Sequence, residues 1–104
     1  MALEHDMIGL YFAVGNANHL PPWGGLDMLL STNPIAAAIP AAEESPIVLD
    51  MATSDISFSR LRQAQRLGKP LAPGSALDAQ GAPTSDPAQA VTPLPIAGPK
   101  GAGI

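Results

Sequence analysis

Three short runs of apolar residues predict the strands of a small sheet. The runs are Met7–Val14, Ile35–Ile39 and Pro46–Met51. The first is broken only by Gly9 and suits a strand buried on both faces; a short helix is the alternative, but the Gly15-Asn16 pair that follows favours the strand. Pro40 ends the second run, because proline has no N–H to donate to a sheet ladder. The third run is rich in β-branched residues and predicts a short buried strand that leads into a helix.

A helical repeat follows the third run and predicts one clear helix over about residues 54–67. Four apolar side chains recur every three residues, namely Phe58, Leu61, Ala64 and Leu67. That spacing places them on one stripe of a helix. Ser54 suits the N-cap, Asp55 suits the first turn, and Gly68 followed by Pro70 ends the helix. The helix also carries Arg60, Arg62 and Arg66. We expect these arginines to form a solvated basic face.

The composition predicts a thin hydrophobic core. The chain has 104 residues, and much of its 46% apolar fraction is alanine, which buries little area per side chain. Only one tryptophan and two phenylalanines are present, so burial at about 25 cal/mol per Å² of apolar surface stabilises little here. The chain is one small domain at most, and we expect it to need the rest of a larger protein, or a partner, to close its core.

Charge and residue usage argue against several classes of function. A net charge of −4 without a basic cluster disfavours nucleic-acid binding. The sequence has no cysteine, so a disulfide framework and a thiolate metal site are both excluded, and no metal site is predicted. No apolar run reaches the length of a membrane span, and the start of the sequence has no basic segment followed by an apolar one. We therefore expect a cytoplasmic protein that binds neither nucleic acid nor membrane.

Polar groups gather where the apolar runs end. Asp50 lies at the exit of the third run, where a carboxylate is costly to bury unless something pairs with it. It either caps the turn that follows or marks a ligand site at the strand end. The Ser31–Pro34 tetrad suits a small-anion or amide-binding corner, and equally a turn. In the loop before it, His19 is expected to be solvated or hydrogen-bonded, with catalysis as the alternative, and Trp23 either walls a pocket or anchors the loop.

Glycines surround one lysine near the end of the sequence. Gly98, Gly101 and Gly103 flank Lys100, so backbone N–H groups and an ammonium can converge on an anion. The segment is not a P-loop, because the spacing and the Ser or Thr after Gly-Lys are missing. No Gly-x-Gly-x-x-Gly run follows a strand either, so nothing supports a Rossmann cofactor site. The sequence stops at this cluster without a closing element, which we interpret as a cut through a longer domain.

Five segments that carry local motifs follow one another along the chain. They are Pro22-Trp23-Gly24-Gly25, Ser31-Thr32-Asn33-Pro34-Ile35, Val48-Leu49-Asp50-Met51-Ala52-Thr53-Ser54, Ala76-Leu77-Asp78-Ala79-Gln80-Gly81 with Thr84-Ser85-Asp86-Pro87, and Leu94-Pro95-Ile96 with Pro99-Lys100-Gly101. In this order they resemble the malate/L-lactate/ureidoglycolate dehydrogenase family, which also contains diketogulonate and Δ1-piperideine-2-carboxylate reductases. Each segment alone is a weak signal. Their order and spacing together match the family across nearly the whole chain.

The resemblance implies an α+β fold that is not a Rossmann fold. Members of this family bind NAD or NADP in a domain built on a mostly antiparallel sheet, so residues 1–104 would be a partial NAD(P)-binding domain. They interconvert 2-hydroxy acids such as malate or lactate with 2-oxo acids, or act on the corresponding cyclic imino acids. They usually work as dimers. The expected partners are therefore a small 2-hydroxy or 2-oxo acid and, in the complete protein, a second subunit.

The resemblance also implies which residues form the site. The cofactor-binding set is Ile47, Val48, Leu49, Asp50, Met51, Ala52, Pro99 and Lys100. Thr32 matches a position associated with substrate, and Asp50 would also support catalysis by orienting a protonated partner or relaying a proton. Hydride transfer requires the nicotinamide to be held against the substrate carbon, so positioning is the main task of such residues. Lys100 would pair with a phosphate or carboxylate, and Thr32 would hydrogen-bond a substrate oxygen.

One departure from the family pattern concerns the catalytic acid. The family's proton-donating histidine lies in a Ser-His-Gly motif of an N-terminal helical region, and this sequence has no such motif. His5 and His19 lie in other contexts, so the role is transferred to neither. We expect a fragment of an NAD(P)-dependent 2-hydroxy-acid oxidoreductase that is inactive on its own. The alternative is a truncated, non-catalytic relative that at most binds cofactor or a partner subunit. An unrelated Pro/Ala-rich interaction module fits the ordered motifs poorly.

Overall fold

One α-helix and six short strands make up the regular structure of residues 2–103, apart from two short 3₁₀ turns. The computed structural model describes residues 2–103, so Met1 and Ile104, the two ends of the expected 1–104 domain, lie outside the described residues. The elements are β1 (Gly9–Phe12), β2 (Ile35–Ile39), β3 (Ile47–Met51), α1 (Phe58–Leu67), β4 (Ala76–Leu77), β5 (Pro83–Thr84) and β6 (Thr92–Pro93). Short 3₁₀ turns lie at Ala2–His5 and Gly101–Gly103. The strand pairs are antiparallel, which confirms the predicted α+β class.

The first sheet has β2 at its centre, with β1 and β3 on either side. β2 matches its predicted run in full, and β1 and β3 lie within theirs. The predicted burial of both outer strands is wrong. Leu10 and Tyr11 of β1 are each 65% exposed, and Ile47 and Val48 of β3 are 65% and 66% exposed. The reason is that a three-stranded sheet buries its strands only where another layer covers it, and the described residues cover little of this one.

The register divides this sheet into two chemically different faces. Directly opposed residues of neighbouring strands share a face, and successive residues alternate between faces. Ala36 is opposed to Tyr11 and Asp50, and the face they share is called the groove face below. Ala37 is opposed to Leu10 and Leu49 on the other side. That side, the apolar face, consists of Leu10, Phe12, Ile35, Ala37, Ile39, Ile47, Leu49 and Met51.

Helix α1 starts later than its sequence pattern predicts. Ser57, not Ser54, is the N-cap, and its side-chain oxygen accepts a hydrogen bond from the Arg60 N–H at 3.2 Å. Ser54 cannot start the helix because residues 53–55 are bonded to residues 94–96 in an extended bridge. The end of the helix is as predicted, since Gly68 adopts the left-handed conformation with φ of 60°, which glycine reaches without steric cost.

The hydrophobic core lies between α1 and the second, smaller sheet of β4, β5 and β6. Leu61 packs against Ala76 and Ala90, and each of the three is at least 98% buried. The Gln65 side-chain amide ties the helix to this sheet by donating to the Ala90 carbonyl oxygen at 2.7 Å. One leucine and two alanines give little buried area, so the thin core that the composition predicts is confirmed.

The surface area and shape reflect that thin core. The solvent-accessible surface is 6989 Å², whereas a compact monomer of this mass exposes about 5,500 Å². The radius of gyration is 16.2 Å, against about 13 Å for a compact domain of this length. The excess agrees with the many exposed large hydrophobic side chains of the first sheet.

Candidate functional site

The exit of β3 is hydrogen-bonded to segments from both halves of the chain. The Thr53 N–H donates to the Thr32 carbonyl oxygen at 3.1 Å, and the Thr53 carbonyl oxygen accepts from the Ile96 N–H at 2.9 Å. The Asp55 N–H donates to the Leu94 carbonyl oxygen at 2.8 Å. These bonds bring three of the sequence motifs side by side: the Ser31–Pro34 corner, the end of the β3 motif and the start of the lysine-bearing segment.

A small cleft lies where those three motifs meet, and we call it the corner cleft. It has a volume of about 260 Å³, and its lining includes Ser31, Asn33, Thr53 and Gly101. Thr32 and Lys100 are not among the lining residues, although each is next in sequence to one that is. The structure therefore brings the segments that carry these two residues together, but not their side chains into the cleft.

The Ser31–Pro34 corner is irregular backbone held by its neighbours. The Asn33 side-chain oxygen accepts a hydrogen bond from the Gly15 N–H at 3.0 Å. A Cβ on Gly15 would overlap the Ser31 side chain, so this close approach requires glycine, and Ser31 is only 8% exposed. The interpretation of the corner as a turn is wrong, because residues 31–34 form neither a hydrogen-bonded turn nor a bend. Its role in binding stays a prediction.

The lysine-bearing segment is held by contacts on its backbone. Ala97 and Gly98 both adopt left-handed conformations, with φ of 54° and 61°, and such a conformation is strained for alanine. The Trp23 ring packs against Gly98, where an added Cβ would lie 3.4 Å from the ring. Pro99 and Lys100 themselves are exposed. Lys100 is thus presented to solvent on a turn of defined shape, directly before Gly101, which lines the corner cleft.

Asp50 does not lie at the corner cleft. It is inside β3, paired with Ala36, and strand geometry separates it from Thr53 by about 10 Å. The interpretation of Asp50 as a cap is wrong, because the residue belongs to the strand and is opposed to Ala36 rather than placed at a turn. Asp50 lines a different cavity of about 650 Å³ together with Val48 and Leu49.

The predicted cofactor-binding residues of β3 are divided between the two faces of the sheet. Val48 and Asp50 are on the groove face, whereas Ile47, Leu49 and Met51 are on the apolar face. A ligand that lies along one face contacts only every second side chain. Therefore only some members of the predicted set can contact a ligand on a given face with their side chains.

His19 and Trp23 have structural roles in the loop between β1 and the corner. The His19 ring stacks on Phe58 with centroids 4.2 Å apart and an interplanar angle of 7°, and the Arg62 guanidinium lies over the same phenyl ring. The His19 carbonyl oxygen also accepts a hydrogen bond from Thr92 Oγ1. Trp23 lines a cavity of about 500 Å³ with Pro21 and Pro22, in agreement with its prediction as a pocket wall.

Within residues 2–103 no three His, Asp or Glu side chains come together in a way that could hold a metal ion. No helix in the same part of the chain has the length and apolar character needed to cross a bilayer.

Comparison with known proteins identifies the family. The family model for malate/L-lactate dehydrogenase matches residues 1–104. The chain belongs to the malate/L-lactate dehydrogenase family. The resemblance seen in the ordered motifs is thereby confirmed.

Individual members of the malate/L-lactate dehydrogenase family match nearly the whole chain. The Δ1-pyrroline-2-carboxylate/Δ1-piperideine-2-carboxylate reductase of Pseudomonas putida is 43% identical over 97% of this chain and 30% of its own length. The (2R)-3-sulfolactate dehydrogenase (NADP(+)) of Chromohalobacter salexigens is 38% identical over 82% of this chain and 26% of its own length. The solved sulfolactate dehydrogenase from Methanocaldococcus jannaschii superposes with a TM-score of 0.86 at 38% identity, over 98% of this chain and 30% of that one. The chain thus spans less than a third of the length of these relatives.

Proposed function

We propose that this chain is part of an NAD(P)-dependent oxidoreductase and supplies residues that hold its cofactor and substrate. The substrates are 2-hydroxy acids and the matching 2-oxo acids, or cyclic imino acids. The observation that carries the proposal is that backbone hydrogen bonds join the Ser31–Pro34 corner, the exit of β3 and the start of the segment that bears Lys100. The names of the relatives support the same class of reaction and, in one of them, NADP as the cofactor.

The chemistry of the described residues fits a nicotinamide dinucleotide. When bound, such a cofactor supplies or accepts the hydride, and the protein positions it and the substrate. Lys100 provides an exposed cation for a phosphate, on a turn whose backbone is fixed. The Thr32 hydroxyl provides a hydrogen-bonding group for a substrate oxygen on the segment that is bonded to the exit of β3. Asp50 contributes a carboxylate further along β3, in a supporting role.

We also propose that this chain does not catalyse the reaction by itself, because its sequence lacks the Ser-His-Gly motif that carries the family's acid. Residues 2–103 should therefore consume no NADPH with pyruvate or oxaloacetate. A chimera in which they replace the matching segment of the Pseudomonas putida reductase should regain reduction of Δ1-piperideine-2-carboxylate. A folded chimera that binds NADPH but does not turn over would favour the alternative, a non-catalytic relative. Steady NADPH consumption by the isolated chain would contradict the absence of an acid.

Lys100→Ala is expected to weaken NADPH binding about tenfold. Loss of one hydrogen bond to a charged group costs about 1.5–3 kcal/mol, and each 1.4 kcal/mol is a factor of ten in the dissociation constant. Isothermal titration calorimetry measures the change. Lys69→Ala is the matched control, because Lys69 is equally exposed but follows α1, and it should leave the affinity unchanged. Equal effects of the two substitutions would make Lys100 a nonspecific surface charge.

The resemblance to the family extends the proposal to the complete protein. There it includes a homodimer and a cytoplasmic location. Sedimentation of the chimera at several concentrations tests the dimer.

A further inference from the structure

The groove face of the first sheet carries Asp50, to which the proposed function gives only a supporting role, and its shape indicates a more specific one. Tyr11, Ala36 and Asp50 stand in one row across the three strands. Since neighbouring strands are about 4.8 Å apart, the outer two residues of the row are about 9–10 Å apart with a methyl group between them. The next row on this face consists of Gly9, Ala38 and Val48, and it also has a small side chain, Ala38, at its centre. The face is therefore a trough with a floor of alanine.

One end of this trough is closed by the first 3₁₀ turn. A Cβ on Gly9 would lie 2.9 Å from Cβ of Ala2, so the Ala2–His5 turn lies directly against the groove face. The trough is open to solvent, with a volume of about 650 Å³, and Glu4 is among the residues that line it. At the other end, β3 leads towards Thr53 and the corner cleft.

The polar groups at the border of the trough select the class of ligand. An ionised Asp50 is an acceptor only, and the Tyr11 hydroxyl opposite it can donate or accept. The Asp50 carboxylate disfavours a phosphate in the trough, whereas an amino group or a carboxamide NH₂ can donate to it. The apolar face has no polar side chain that could orient such a group.

We propose that the groove face, and not the apolar face, holds a planar heteroaromatic ring with an exocyclic NH₂ between Tyr11 and Asp50, on the floor of Ala36 and Ala38. The proposal rests on the proposed function, because the nicotinamide carboxamide and the adenine amino group are the two sources of this chemistry in NADPH. The phosphates then lie outside the trough, where Lys100 is the cation that the proposed function assigns to them.

A matched pair of substitutions in β2 tests the choice of face. Ala36→Leu fills the floor of the trough. Ala37→Leu adds the same side chain at the next residue, on the apolar face of the sheet. NADPH affinity of the chain should fall at least tenfold for Ala36→Leu and stay within twofold for Ala37→Leu, with far-UV circular dichroism unchanged in both. If NADPH affinity falls only for Ala37→Leu, or falls for neither variant, the groove-face proposal is overturned while the proposed function stands. No NADPH binding by the unsubstituted chain overturns the proposed function as well.

A second pair keeps the test decisive if Ala36→Leu does not fold. Tyr11→Leu and Phe12→Leu change neighbouring residues of β1 that are 65% and 67% exposed on opposite faces. Only Tyr11→Leu should weaken NADPH binding, and equal effects contradict the proposal. Titration with nicotinamide mononucleotide and with AMP then identifies the ring. The compound that binds more weakly to Tyr11→Leu than to the unsubstituted chain carries the ring that occupies the trough. If Tyr11→Leu changes the affinity for neither compound, the proposal is overturned.

Discussion

Leu61→Ala is expected to lower the free energy of unfolding by about 2–5 kcal/mol, the cost of removing a buried leucine side chain and leaving a cavity. Leu61 is 1% exposed and packs against the fully buried Ala76 and Ala90, with the partly buried Ile56, Phe58 and Leu71 around this cluster. The methyl groups of the two alanines cannot extend into the space that a truncated Leu61 would leave. A domain of this size loses about 4–8 °C in melting temperature per kcal/mol, so thermal denaturation followed by circular dichroism should shift by 10 °C or more.

Leu67→Ala is the control for that effect. Leu67 lies in the same helix but is 57% exposed, so the same change of side chain should cost less than about 1 kcal/mol. If the two variants melt at the same temperature, Leu61 is not the centre of the core and the packing described between α1 and the second sheet is wrong.

Gly101→Ala is expected to abolish detectable NADPH binding. A Cβ at this position would overlap the carbonyl oxygen of Ile96, and a backbone atom cannot rotate away as a side chain can. The segment must shift, and it carries Lys100 and lines the corner cleft. Calorimetric titration should therefore show loss of binding, while the melting temperature changes less than for Leu61→Ala.

Gly103→Ala provides the matched control in the same 3₁₀ turn. No atom lies within 4 Å of a Cβ added there, so the substitution should leave NADPH affinity within twofold of the unsubstituted chain. Equal loss for both variants would mean that helical-turn propensity, and not the contact with Ile96, determines the geometry of the segment.

Local patterns were sufficient to predict most of the secondary structure. The run Ile35–Ile39 is a strand to the residue, because proline follows it and β-branched or small residues fill it. The end of α1 at Gly68 was predictable for a similar reason, since only glycine takes the left-handed conformation cheaply. The start of α1 was not. Ser54 and Ser57 are equally good caps in the sequence, and the choice depends on a bridge to Pro95 that lies about forty residues away.

The candidate site was only partly predictable. The motifs around Thr32 and Lys100 could be named from the sequence, but their meeting depends on the hydrogen bonds of Thr53 to Thr32 and Ile96, which no local pattern contains. Burial of β1 and β3 was predicted wrongly, because an apolar run shows that a strand can be buried and not which layer covers it. The stacking of His19 on Phe58 is also a tertiary contact without a sequence signal.

Titration of the chain with NADPH, followed by tryptophan fluorescence, tests the central claim most directly. The sequence has one tryptophan, and Trp23 packs on Gly98, two residues before Lys100. Reduced nicotinamide absorbs where tryptophan emits, so a cofactor at this site should quench the emission. The account predicts saturable quenching that fits one site and weakens in Lys100→Ala. An emission that falls only linearly with added NADPH, equally in Lys100→Ala, would contradict a cofactor site beside the corner cleft.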